Sequence, residues 1–210
     1  YRPAQSASVP VPQAPTVIID PGHGGADGGA VAPDGTAESA LNLSVALRVR
    51  DLCAFLGVDT VMTRDTEEIS YPSEEKTIAA MKKWDTRRRV EIAESVDSPV
   101  FLSIHQNIYP SSGPHGSQVL YAQNEPSRAL AELIQSRLTA ALLPENRRVP
   151  VPAGKDIYIM SHVQCTAVLV ECGFLSHPQE LSLLQSADYQ KKIASVLTAC
   201  YLQFTEKGVL

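Results

Sequence analysis

TVIIDPGHGG, residues 16–25, is the stretch whose reading decides the fold. Its first half, TVIID, is a short β-branched run that stops at an aspartate followed by proline and glycine, the punctuation expected where a buried strand gives way to a shaped loop. Gly22, Gly24, Gly25 and Gly28, with Gly29, allow tight backbone turns through that loop. Beyond it, Val45, Val49, Leu52, Cys53 and Leu56 recur at helical spacing within residues 39–56, while Arg48, Arg50 and Asp51 stay available to solvent. Gly57 supplies a helix C-cap, and VDTVMT, residues 58–63, reads as the next strand. Strand, loop, helix and strand in that order make a βαβ unit and predict a parallel sheet.

The rest of the chain extends the same alternation. Residues 65–86 are polar and lack core periodicity, which predicts a rim or an irregular helical excursion beside a site. A helix through RRRVEIAES leads into the strand VFLSI (100–104), followed at once by His105. GSQVLY (116–121) is a further strand, and Leu130, Leu133, Ile134, Leu138, Ala141 and Leu142 mark one helix face that ends near Pro144. TAVLVE (166–171) is the last clear strand and ends at Glu171. Ile193, Val196, Leu197, Cys200 and Phe204 signal the final helix, with Ser186 near its start. No repeat interrupts the pattern of a single α/β domain.

Composition narrows the function classes. With 210 residues, 44% of them hydrophobic, the chain can fill one core but hardly two. Eighteen Lys and Arg against 23 Asp and Glu give a formal charge of -5, so the overall basic footprint of a nucleic-acid binder is absent. No apolar run approaches the ~20 residues that cross a bilayer, and residues 1–15, with four prolines, lack the apolar centre of a signal peptide. That opening segment reads as a linker or mature N-terminal tail. Cys53, Cys165, Cys172 and Cys200 form neither a dense disulfide framework nor a CxxC metal site.

His23, Glu38, His105 and Glu171 fall at separate punctuated points, three of them just after or at the end of strands, where α/β sheets place their sites. Two neutral imidazoles and a carboxylate can hold Zn²⁺ with a water position open, and a second carboxylate can accept that water's proton. The ordinary alternatives are a loop-ordering hydrogen bond for His23, a solvated helix-start carboxylate for Glu38, and strand-terminating hydrogen bonds for His105 and Glu171. Glu171 resists the ordinary reading best, because burying an unpaired carboxylate after AVLV is costly. PGHGGADGG lacks both GxxxxGK[ST] and GxGxxG, so nucleotide binding is a weak reading. A triad of Ser103, His105 and Asp20 lacks a GxSxG elbow, and a thiol enzyme using Cys172 with His162 or His177 competes with a simply packed cysteine. Arg64, Arg87, Arg88, Arg89 and Asn107 are the candidates to receive a carboxylate or a polar saccharide group; for the arginines, solvated faces and local ion pairs are the competing reading.

VIIDPGHGG (17–25), GTAESALNL (35–43), FLSIHQN (101–107) and AVLVECGFLSHPQE (167–180) together closely resemble the zinc-dependent N-acetylmuramoyl-L-alanine amidases, in the same order from residue 16 to residue 204. The resemblance implies an α/β catalytic domain over 16–204 around a mixed, mostly parallel sheet flanked by helices, with 205–210 as a short C-terminal tail. It implies one catalytic Zn²⁺ held by His23, Glu38 and His105, with Glu171 as the carboxylate that takes and returns the proton. The implied reaction is hydrolysis of the amide between the lactyl group of N-acetylmuramic acid and L-alanine in peptidoglycan. KDIYIM (155–160) followed by VLVECGFLS looks like the sporulation and germination branch, which prepares spore cortex for muramic-δ-lactam formation. Ser39, Glu94, Gln106 and His177 stand where lysine, asparagine, alanine and asparagine are common in the family.

The implied partners are glycan strands with their stem peptides and a spore-specific accessory or activator protein, with no nucleic acid. The implied setting is extracytoplasmic and associated with the cell wall, such as the forespore intermembrane space, with an export signal or membrane anchor upstream. Two other functions use the same residues: a zinc peptidase acting within the stem peptide, and a peptidoglycan-binding or regulatory domain that does not cleave.

Overall fold

The computed structural model describes residues 15–206. The expected N-terminal tail therefore falls, apart from residue 15, outside the described residues, as do residues 207–210. Six strands form one sheet among the described residues: β1 (Val17–Pro21), β2 (Thr60–Met62), β3 (Val100–Asn107), β4 (Gln118–Tyr121), β5 (Val151–Pro152) and β6 (Thr166–Phe174). Their order across the sheet is β2-β1-β3-β6-β4-β5. β1 runs parallel to β2 and β3, β3 parallel to β6, and β4 parallel to β5, while β4 meets β6 antiparallel. The sheet is thus mixed and mostly parallel, and the βαβ unit expected at the start of the chain is present.

Helices α1 (Glu38–Phe55), α3 (Glu125–Leu142), α5 (Pro178–Gln185) and α6 (Ala187–Glu206) contribute to one side, and α2 (Ile78–Glu94) and the short α4 (Tyr158–His162) to the other. Thr205 and Glu206, expected in the C-terminal tail, instead complete the last turn of α6. The division follows the two-residue period of the strands. Leu102 and Ile104 of β3, with Val168, Val170 and Cys172 of β6, pack in one core against Val45, Leu130 and Leu197. Phe101, Ala167 and Leu169 point the other way and pack with Val90 and Ile159 in a smaller core. By the same alternation Ser103, His105 and Glu171 share the face of Phe101 and Leu169, the thinly covered one.

Three departures from the sequence reading bear on function. Strands β3 and β6 continue past His105 and Glu171, so both residues sit inside strands, as register partners, rather than just after the strand for His105 and at its last position for Glu171. The polar stretch 65–86 is irregular only to Thr77, whose hydroxyl accepts from Ala80 N at 3.2 Å and starts α2. The helix expected through RRRVEIAES therefore begins about nine residues earlier; core periodicity did not reveal that first part because α2 buries only Arg89, Val90 and Ala93, all in its second half. Short elements α4, α5 and β5 carried too few residues for a periodic signal.

What seats α2 is charge. Arg89 reaches Asp20 of β1 at 2.6 Å and Asp85 at 2.7 Å, with the Arg89 and Asp20 side chains 3% and 0% exposed. Burial alone would raise the Asp20 pKa; the Arg89 guanidinium and hydrogen bonds from Ser103 and Thr63 outweigh it and hold the carboxyl below its ordinary 3.8. That depressed value stabilises the fold above about pH 3.8, and the contribution is lost as pH falls through the folded pKa. Arg89→Met leaves Asp20 buried without its counter-charge and is expected to cost about 3–5 kcal/mol in chemical denaturation at neutral pH. A loss below ~1 kcal/mol, the scale of an exposed pair, would show that α2 is held by other contacts.

Candidate metal centre

The loop after β1 turns sharply. His23 adopts φ 59° and is followed by Gly24 and Gly25, also at positive φ. A non-glycine residue pays strain in that region and keeps it only where its surroundings hold it. Two buried guanidinium groups do the holding. Arg64 donates through Nε to the carbonyls of Pro21 and His23, and through its terminal nitrogens to those of Gly22, Ser39 and Thr66. Arg89 donates to the carbonyls of Pro21 at 2.8 Å and His23 at 2.6 Å.

These contacts correct the expectation that Arg64 and Arg89 receive substrate: their donors are occupied by backbone and carboxylates, and they build the loop. Arg88 is exposed and pairs with Glu91 at 3.3 Å, the ordinary solvated-face reading. Arg87 alone of the arginine cluster is exposed on the wall of the groove beside the centre without an ion pair. Asn107 is the last residue of β3, opposite Phe174.

The loop brings His23 to Glu38, the first residue of α1. Glu38 is buried rather than solvated. Its Oε2 accepts from Ala30 N at 2.9 Å and lies 3.3 Å from His23 Nε2. Its Oε1 accepts from Gln106 N at 3.1 Å and Asn42 Nδ2 at 3.2 Å, and lies 2.9 Å from His105 Nδ1. Burial opposes the charged carboxylate; the two histidines overcome it and keep the carboxyl well below the usual range. One ligand atom from each of His23, Glu38 and His105 lies within 4.8 Å of the others, the convergence a metal ion needs.

The backbone around this cluster leaves no room for side chains. A Cβ at Gly22 would stand 2.2 Å from the His105 ring, and one at Gly29 2.6 Å from Glu38 Oε2 and 2.7 Å from the His23 ring. Asp27 supplies the outer support that sequence reasoning missed. Its Oδ2 lies 2.9 Å from His23 Nδ1, so Nδ1–H is held by a carboxylate and Nε2 faces Glu38. The available signal was the short spacing from His23 in the glycine loop.

Glu171 stands on the neighbouring strand in the same groove as His23 and His105, a cavity of about 550 Å³ between α2 and α4. Its Oε2 is shielded from solvent and receives no hydrogen bond among the described residues. Burial, aided by the charge of Glu38, pushes its pKa up to about 7 against the pull of both histidines. A lone carboxylate poised near neutrality can take and return a proton.

The rival constellations do not assemble. Ser103 donates its hydroxyl to Asp20 at 2.6 Å, while His105 engages Glu38, so no triad forms. Cys172 is buried on the opposite side of the sheet, His162 stacks on Tyr158, and His177 caps α5 by accepting from Glu180 N at 3.3 Å. Gln106 gives its backbone N–H to Glu38, and Ser39 gives its hydroxyl to Glu67 at 3.2 Å.

Fold and centre together define a single-domain α/β protein with a His–Glu–His cluster and a separate buried carboxylate, Glu171, in the same groove. Residues 17–200 match the N-acetylmuramoyl-L-alanine amidase family model. The chain belongs to that family and is an N-acetylmuramoyl-L-alanine amidase, an enzyme of peptidoglycan. It is 38% identical over 197 residues to the germination-specific N-acetylmuramoyl-L-alanine amidase of Bacillus subtilis (strain 168), covering 91% of this chain and 81% of that one. Among solved structures it is similar to the CwlD amidase of Clostridioides difficile in complex with the GerS lipoprotein, with TM-score 0.88, 33% identity and coverage of 92% and 99%. Amidase AmiC2 of Nostoc punctiforme matches at TM-score 0.77 and 28% identity, over 91% and 97% of the two chains.

Without a cation, the carboxylates of this centre hold a proton on His23. Burial lowers the imidazole pKa, but hydrogen bonds to Asp27 and Glu38 prevail and raise it from 6.5 to about 9. The protonated pair stabilises the metal-free fold fully below about pH 6.5 and loses that contribution as pH rises through about 9. Ring ¹⁵N NMR of metal-free protein is expected to show His23 protonated through neutral pH, and Asp27→Asn to bring its titration down toward the ordinary value. An ordinary pKa in the wild type would remove the proposed hold of Asp27 and Glu38 on the ring.

Proposed function

We propose that the chain is a zinc-dependent amidase that cleaves the lactyl–L-alanine amide of spore-cortex peptidoglycan. The observation that carries this reading is the unpartnered Glu171 carboxylate facing the same groove as the convergent His23, Glu38 and His105. Two imidazole nitrogens and a carboxylate are a donor set that suits zinc and leaves a position open. Bound there, the ion supplies Lewis acidity that polarises the amide carbonyl and acidifies water.

The chain's own residues perform the rest. Arg64 and Arg89 fix the His23 loop, Asp27 orients the His23 ring, and backbone donors hold Glu38 in place. Glu171 accepts the proton of the attacking water, and its pKa, raised to about 7, leaves it divided between carboxylate and acid near neutrality, so it can both take the proton and give it back. The same carboxyl then donates that proton to the departing L-alanine amine, so no covalent acyl-enzyme is required.

The B. subtilis relative's germination-specific name supports the cortex role, and the match to a cell wall amidase of Bacillus anthracis supports an extracytoplasmic setting. The complex of the C. difficile enzyme with GerS supports a lipoprotein as accessory partner of this chain. No helix of the described residues is long and apolar enough to cross a membrane.

Zinc stoichiometry and mass spectrometry of digested peptidoglycan test the reading together, with the accessory lipoprotein present. Glu171→Gln is expected to retain the fold and one zinc per chain while losing about 10²–10⁴-fold in turnover, the usual worth of a general acid–base group. Near-normal turnover by Glu171→Gln would remove Glu171 from the chemistry. New ends between stem-peptide amino acids, rather than lactyl carboxylate and free L-alanine, would overturn the bond assignment.

A further inference from the structure

The groove has two unlike walls. On α2, Ala79, Lys82, Lys83, Thr86 and Arg87 all face it, and their spacing of three, four, seven and eight residues from Ala79 is one face of a helix. The wall formed by α4 and its approach presents Asp156 and then Ile157, Tyr158, Ile159 and Met160. On a helix lying against a sheet, the inward face is ordinarily apolar. On α2 the face that borders the groove, next to the buried Arg89, Val90 and Ala93, is instead cationic, in a chain whose formal charge is -5.

The cations are unequally committed. Lys82 reaches Asp27 at 3.1 Å, behind the His23 ring. Asp85, on the same helix, is taken by Arg89, and Glu91 by Arg88. Lys83 and Arg87 are exposed, and their side chains have no hydrogen bond or ion pair among the described residues. They stand four residues apart, the spacing at which like charges on a helix repel and destabilise it. An anion placed between them converts that repulsion into a double attraction, and a guanidinium beside an ammonium is a good receptor for a carboxylate.

We infer that Lys83 and Arg87 form a specificity site that receives a free carboxylate of the stem peptide on the α2 side of the groove. The inference rests on the amidase reading, since that reaction lays a peptide along the groove with its first amide at Glu171 and the histidines. Asp156 on the other wall repels the same carboxylate, so the peptide is oriented as well as held. The enzyme therefore distinguishes stem peptides with free carboxylates from those whose carboxylates are amidated. Arg64 and Arg89 take no part, because their donors are spent on the loop.

The test uses full-chain enzyme, with zinc and the accessory lipoprotein, on a pair of muramoyl-peptides that differ only in carboxylate against carboxamide along the stem. Wild type is expected to show kcat/KM about tenfold higher for the acid form, carried mainly in KM and weakened by added salt. In Lys83→Met/Arg87→Met that ratio is expected to fall to about one. Reinstating charge with Arg87→Lys in place of Arg87→Met recovers part of it, and Arg88→Met leaves it as in wild type. Far-UV circular dichroism and zinc content confirm that the variants fold. Equal kcat/KM for both substrates in wild type, or an unchanged ratio in the double variant, overturns this site alone. Failure of wild type to cleave either substrate at the lactyl amide overturns the amidase reading and this site with it.

Discussion

Everything at the centre depends on two guanidinium groups that hold one loop by its backbone. Pro21, Gly22 and His23 turn away from β1 with their carbonyl oxygens pointing inward, and Arg64 and Arg89 satisfy those oxygens from two directions. A buried carbonyl without a donor is expensive, and a left-handed histidine adds strain. The two cations repel one another across this loop, which with burial lowers the Arg64 pKa; Glu67, Asp20 and Asp85 oppose that shift. The result is a turn that presents His23, fastened by its carbonyls and covered over Gly24 and Gly25 by Ile69 and Tyr71. The same Arg89 seats α2, so the groove wall and the ligand loop share a fastening.

The division of the sheet into two faces explains why the centre lies where it does. Long helices seal one face with a continuous apolar core, while α2 and α4 leave a cleft on the other. Side chains that must meet substrate occupy alternate positions of β3 and β6, and Glu38 enters from the start of α1 at the same edge. Gly22 and Gly29 are required by contact: the His105 ring, the Glu38 carboxylate and the His23 ring fill the space that a Cβ would need.

Much of this was legible in the chain itself. The β-branched runs at Val17 and Thr166, and the apolar spacing in α1, α3 and α6, report directly on burial, so strands and long helices could be read from them. His23, Glu38, His105 and Glu171 stood out because they fall at punctuated points, three of them at or just after strand ends, and the resemblance of the motifs around them singled them out as a set. What could not be read was any role set by distant pairing. The roles of Arg64 and Arg89 were hidden because the loop carbonyls they hold, those of Pro21 and His23, lie more than 40 positions away, in a loop whose shape no local pattern encodes. The groove face of α2 was missed because a helix held by an ion pair leaves no apolar period, and α4 because a single turn has too few residues to show one.

Strand β6 places two chemically opposed residues side by side. Glu171 faces the groove, and the pleat turns Cys172 into the sealed core behind it, where burial pushes the thiol pKa far up and no solvent reaches it. A thiolate in the groove would compete for the cation, favour soft metals over an ion with an open oxygen-binding position, and expose the centre to oxidation. A slip of one residue in the pairing of β6 with β3 would exchange the two side chains. The register of this central pair therefore guards the elemental make-up of the groove: it keeps sulfur away from the cluster of His23, Glu38 and His105 as surely as it brings the Glu171 carboxylate alongside it.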